Sequence, residues 1–182
     1  MPISVRTDRR HARLAPALRA LVRVTLAGEG LRPGEVGVVL TGDGELRDLN
    51  RRWRGLDRAT DVLSFSYDEP PPRGRARRVP RPPARGAAGR VHGDLVVSLD
   101  RVAEQARRFR VTWGEELARL VVHGALHLAG HDHQRPAERR RMRAREDAAL
   151  AAGRAAARAL GRVAPDASAA RGTAAGARRR RA

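Results

Sequence analysis

Residues 123–133, HGALHLAGHDH, constrain the fold more than any other stretch of this chain. On an α-helix, residues four apart stand one above the other, so His123 and His127 can direct two imidazoles at one point. A third ligand must approach from another direction if the site is tetrahedral, and Gly130 supplies a turn that can bring His133 back toward the pair. The fourth position is then left for water, which marks a catalytic zinc centre rather than a structural one. Four of the six histidines lie within these 11 residues. Cysteine is absent, which excludes disulfides, thiolate zinc clusters and a cysteine nucleophile, and leaves imidazole and carboxylate as the only metal ligands. The fold must therefore hold a helix–turn–ligand unit steady while leaving one side of it open.

The spacing H-x3-H-x2-G-x2-H matches the metzincin zinc signature except at its second position, where Gly124 replaces the glutamate that activates water in those peptidases. Peptidase chemistry is disfavoured on that ground, and metal ligation is not. Asp132 is expected to orient a ligand or cap the turn, and His131 to face solvent. No pattern surrounds His11 or His92.

The rest of the chain reads as strands interleaved with helices. Residues 3–7 suit a short strand, and 11–27 carry Leu14, Leu18, Leu21 and Val22 at helical spacing. VGVVLT (36–41) is β-branched, and Asp43 is placed to cap a following helix that runs through Trp53. TDVLSFSY (60–67) and GDLVVSLD (93–100) read as two further strands. Arg54 falls in the loop expected before the first of these, where a guanidinium offers a planar donor fork for phosphate. Asp61 and Asp94 stand near strand starts as turn or cap residues. Asp100 is expected to cap a helix through Phe109. Thr112 and Glu115 form a capping box for the helix that reaches His123. Glu104, Glu115 and Glu116 read as capping and surface residues, and Pro136 opens a last helix carrying Met142 and Leu150. The resulting class is α+β, close to α/β: one domain with a small mixed four-stranded sheet flanked by helices. Its expected extent is 1–155, with residues 69–90 a Pro/Arg-rich insertion loop and 156–182 a disordered basic Ala/Arg tail.

The formal net charge of +18 is carried entirely by Arg and is uneven. Residues 154–182 contribute +7 and 69–90 contribute +6, leaving +5 for everything else. Such a balance is compatible with nucleic-acid binding and equally with a G+C-rich coding sequence, so charge does not name a partner. The N-terminus lacks a signal-peptide core, and the longest apolar run is interrupted by His123 and His127; a cytoplasmic location is expected, without membrane association.

Three blocks, in order, resemble one family. HGALHLAGHDH closely resembles the H-G-x-L-H-L-x-G-[YH]-D-H signature of the YbeY family of metal-dependent endoribonucleases. LNRRWRGLDRATDVLSFSY resembles that family's L-N-x-x-[YF]-R-x-x-x-x-P-T-D-V-L-S-F-P block, and GDLVVSLD its G-D-I-x-I-S strand. The resemblance spans roughly residues 3–150. Ala59 and Ser66 stand where the family usually has Pro, and His131 where it usually has Tyr. By resemblance, His123, His127 and His133 are the ligands of one zinc ion per chain, other divalent transition metals being acceptable to the same donors. His127 and Arg54 are the residues expected to matter for catalysis. The implied function is single-strand-specific endoribonuclease action in maturation of the 16S rRNA 3′ end and in ribosome quality control. The implied partner is rRNA of the small subunit, with ribosomal proteins or assembly GTPases as further candidates; DNA is not expected. Two other readings stay open: an assembly factor with a mainly structural metal, and a metallohydrolase of peptides or small molecules.

Overall fold

A computed structural model describes residues 2–67 and 89–162. Along the chain run β1 (Ile3–Arg6), a 3-10 turn (Ala12–Leu14), α1 (Ala15–Gly28), β2 (Arg32–Thr41), α2 (Asp43–Arg54), β3 (Val62–Ser66) and β4 (Arg90–Ser98). Then come α3 (Leu99–Phe109), α4 (Trp113–Leu128), α5 (Pro136–Ala152) and α6 (Arg154–Gly161). The strands form one mixed sheet in the order β1-β2-β4-β3. β1, β2 and β4 are parallel neighbours, and β3 runs antiparallel to β4 at the edge. The molecule is a single α+β domain, as expected.

Alternation along β2 shows how the sheet divides two cores. Val36, Val38 and Leu40 are buried on one face, while the residues between them point to the other. The first face meets α1 and α4, where Ile3, Leu18, Leu21, Leu95, Leu117 and Leu126 belong to one continuous core. α5 and α6 pack on α1 and α4. On the second face α2 lays Leu46 against Leu63 and Val96, with Phe65 and Leu49 at the margin. Across the described residues no helix is long and apolar enough to cross a membrane.

α4 is the central element, buried along most of its length. Thr112 and Glu115 form the expected capping box, with Thr112 Oγ1 accepting from the Glu115 amide and the Glu115 carboxylate accepting from the Thr112 amide. Gly130, at φ +91°, ends the helical path. Midway, Gly124 lets the helix lie flush on the sheet. A Cβ there would stand 3.1 Å from both Leu95 Cδ2 and Val62 Cγ2, and the Ser64 hydroxyl donates to the Gly124 carbonyl at 3.1 Å.

Several local expectations need correction. Asp43 and Asp100 exchange places: Asp100 Oδ2 accepts from the Asp43 amide at the start of α2, while Ser98 caps α3 and itself donates to Asp43 Oδ1. Each acid serves the neighbouring helix because the ends of β2 and β4 lie side by side, pairing Thr41 with Ser98. β2 begins at Arg32, earlier than β-propensity suggests, because Arg32 and Pro33 find partners in Arg90 and Val91 across a bulge. Arg54 lies in the last turn of α2, not in a loop, and Gly55 at φ +70° closes that helix. Glu116 is buried and not a surface residue, held by Arg119 through two hydrogen bonds of 2.6 and 3.0 Å. The helix opened by Pro136 is followed by α6, so residues 156–161 are packed chain and not tail, with Leu160 fully buried. Most of the 69–90 segment, and the tail from 163 onward, lie outside the described residues.

Candidate metal centre

His123 and His127 leave α4 on the same side. At roughly 100° per residue, and with Gly124 facing the sheet, both rings project about 40° from one another toward the flank of the helix. His123 Nε2 and His127 Nε2 approach to 3.2 Å. His133 returns from the loop after Gly130, its ring centroid 5.3 Å from that of His123 and 5.1 Å from that of His127. One ligand nitrogen from each of the three lies within 4.8 Å of the others, so the group could hold one metal ion.

The donor chemistry fits a borderline cation. Burial and the neighbouring His123 and His133 push the His127 imidazole down to about 4, so it stays neutral, with a lone pair to offer, well into acid. His123 Nδ1 lies 2.6 Å from Glu146 Oε1. Since an ionised carboxylate can only accept, Nδ1 carries the proton and the Nε2 lone pair is left free to meet a metal. Burial alone would raise the Glu146 carboxyl, yet the hydrogen bond from His123, with the Arg119 guanidinium nearby, holds it below the usual range.

A family model described as "Endoribonuclease YbeY" matches residues 3–153. A protein of Anaeromyxobacter sp. (strain Fw109-5) named endoribonuclease YbeY is 43% identical over 152 residues, which cover 82% of this chain and 71% of that one. The chain belongs to the YbeY family. Like-named proteins of Anaeromyxobacter dehalogenans and Roseiflexus castenholzii are 43% and 41% identical over 135 residues each, covering 62% and 79% of their own lengths. A Thermotoga maritima protein solved in solution shares the fold at a TM-score of 0.51 and 26% identity, over 84% of this chain and 92% of that one.

In this YbeY-family chain the structure brings His123, His127 and His133 together and sets the other candidates apart. His131 Nε2 lies 2.9 Å from Oε2 of Glu29, the residue that caps the C-terminus of α1, turned to a carboxylate and not to the cluster. Asp132 caps the turn by accepting from the His133 amide at 2.7 Å and from Gln134. Arg54 is exposed at the end of α2 and contacts none of the three histidines. Asp61 is a turn residue that accepts from its neighbour's amide and from Gln105, which in turn accepts from Arg119. Asp94 accepts from the Tyr67 hydroxyl.

Two residues behind the ligands escaped the sequence reading. Glu146 stands four residues after buried Met142 and three before buried Ala149, a carboxylate in the inward stripe of an Arg-rich helix. That position was its signal. Glu29 carried none, because its partner His131 is 102 residues away.

Proposed function

We propose that this protein is a single-strand-specific endoribonuclease, with one zinc ion held by His123, His127 and His133. In this reading it acts in the cytoplasm on small-subunit rRNA, in maturation of the 16S 3′ end and in ribosome quality control. The observation that carries the reading is the convergence of three imidazole nitrogens, one of them backed by Glu146, in a chain of the YbeY family. A bound ion supplies a Lewis acid able to activate water near neutral pH. Glu146 fixes the ring of His123 and its tautomer. The hydrogen bonds of His131 and Asp132 hold the loop that carries His133. Arg54 offers an exposed guanidinium to a phosphate that gathers charge in the transition state.

Gly124 bears on the peptidase alternative. Its Cβ position faces Leu95 and Val62, so a glutamate placed there would be driven into the sheet and not toward a substrate. An assay on an unstructured RNA tests the proposal. His127→Ala is expected to abolish cleavage, and Arg54→Glu to reduce it at least tenfold while zinc content is kept. Unchanged cleavage in both variants would overturn the assignment.

A further inference from the structure

Only five aromatic residues occur in the chain: two Trp, two Phe and one Tyr. Trp113 is buried at the head of α4, and Phe109 lies at the end of α3. The remaining three gather at one place. Trp53, in the last turn of α2, meets Phe65 of the edge strand at a centroid distance of 6.1 Å in an edge-to-face arrangement. Tyr67 follows Phe65 by two residues and so falls on the same face of the strand line. Trp53 is 50% exposed and Tyr67 is 55% exposed. Phe109, at the end of α3, is 53% exposed as well, so it is the gathering of Trp53, Phe65 and Tyr67 at one place, and not exposure alone, that points to a ligand.

The surroundings specify its chemistry. Residues 51–58 are exposed throughout and include Arg51, Arg52, Arg54 and Arg58. The Arg52 guanidinium lies 5.9 Å from the Trp53 ring centroid. Asp48 engages Arg51, and Asp57 engages Arg47. No described carboxylate meets Arg52, Arg54 or Arg58. The acid nearest the aromatic row, Asp94, is tied to the Tyr67 hydroxyl. Flat π-faces beside guanidinium groups suit stacked bases joined by phosphates.

The same strand leads to the metal centre. Phe65 faces Trp53, while Ser64, the residue before it, faces the opposite way and bonds the carbonyl of Gly124, next to His123. The aromatic row and the histidine flank thus lie on the two faces of edge strand β3. A single strand bending around that edge would pass both. We infer that Trp53, with Phe65 and Tyr67 beside it, stacks a base of a single-stranded RNA whose backbone continues around that edge to the phosphate cleaved at the histidine centre. The inference rests on the ribonuclease reading and adds to it the place where the substrate is gripped.

Intrinsic fluorescence tests it directly, because the chain has two tryptophans and Trp113 is buried. Titrating the zinc-loaded full chain with a 12-nucleotide oligouridine at low salt is expected to quench Trp53 emission. An abasic ribose-phosphate strand of equal length, alike in charge, is expected to leave it unquenched. Trp53→Ala should weaken oligouridine binding by about 5- to 150-fold, the range seen when one stacking partner is lost. Trp53→Phe should restore most of the affinity, and unchanged Trp113 emission in both variants reports that they are folded. If the wild type binds or cuts oligouridine with Trp53 emission unchanged, or if Trp53→Ala binds as tightly as wild type, the stacking site is wrong and the nuclease reading stands. If the wild type neither binds nor cuts RNA, the nuclease reading falls and the stacking site falls with it.

Discussion

His127 is the residue on which the site's chemistry turns. Packed beside two other imidazoles and held near 4, it stays unprotonated where an ordinary histidine would take up a proton. In metal-free protein the unfolded chain protonates this residue near 6.5 and the native state only near 4. Stability is therefore complete above about pH 6.5 and is lost as pH falls from there toward 4, by at most about 3 kcal/mol. Urea midpoints between pH 7 and 4 check this, and His127→Gln should flatten much of the slope. Glu146 is expected to act through His123. Glu146→Gln keeps the shape but removes the charge that supports the Nδ1 proton, so zinc affinity should drop about 10- to 100-fold in competition with a chelator. The convergence of the three histidines was legible in the sequence because helix periodicity and one glycine turn relate them locally. Glu146 was not, since only the packing of α5 on α4 brings it to His123.

Helices and strands were legible where periodicity and capping residues agree, as for α4 with Thr112, Glu115 and Gly130. They were misread where a neighbour decides. The capping of α2 by Asp100, and of α3 by a Ser98 bonded to Asp43, depends on two strand ends being adjacent, which no local pattern records. Residues 156–161 of α6 were read as tail because their Ala/Arg composition continues into the Ala/Arg-rich segment that follows. The helix packs nevertheless, because Gly114 allows its backbone close: a Cβ at 114 would lie 2.3 Å from Gly161 N and Leu160 C. Gly114→Ala is thus expected to displace α6 and expose Leu160, costing roughly 1.5–3 kcal/mol. Denaturant unfolding measures the loss, and amide exchange should show it concentrated in residues 154–161. A gain in stability, as helix propensity alone would give, would contradict this packing.

For the molecule as a whole, the sheet sets out the division of labour. One face carries α4 and its histidines, the other carries α2 with its aromatic and arginine residues, and edge strand β3 joins them. The class, the four-stranded mixed sheet and the histidine-bearing helix could be read in advance because each rests on hydrophobic period and on an ordered set of motifs. The place of Arg54 on the far-face helix could not, because chain order does not say on which side of a sheet a crossover helix settles. The central claim is that one ion at His123, His127 and His133 makes this fold a ribonuclease. Its most direct test is RNA cleavage during a zinc titration of metal-stripped protein. Turnover is predicted to rise linearly, break at one zinc per chain, and stay at background throughout for His127→Ala. Turnover that is already full in stripped protein, or that rises equally in His127→Ala, would contradict the account.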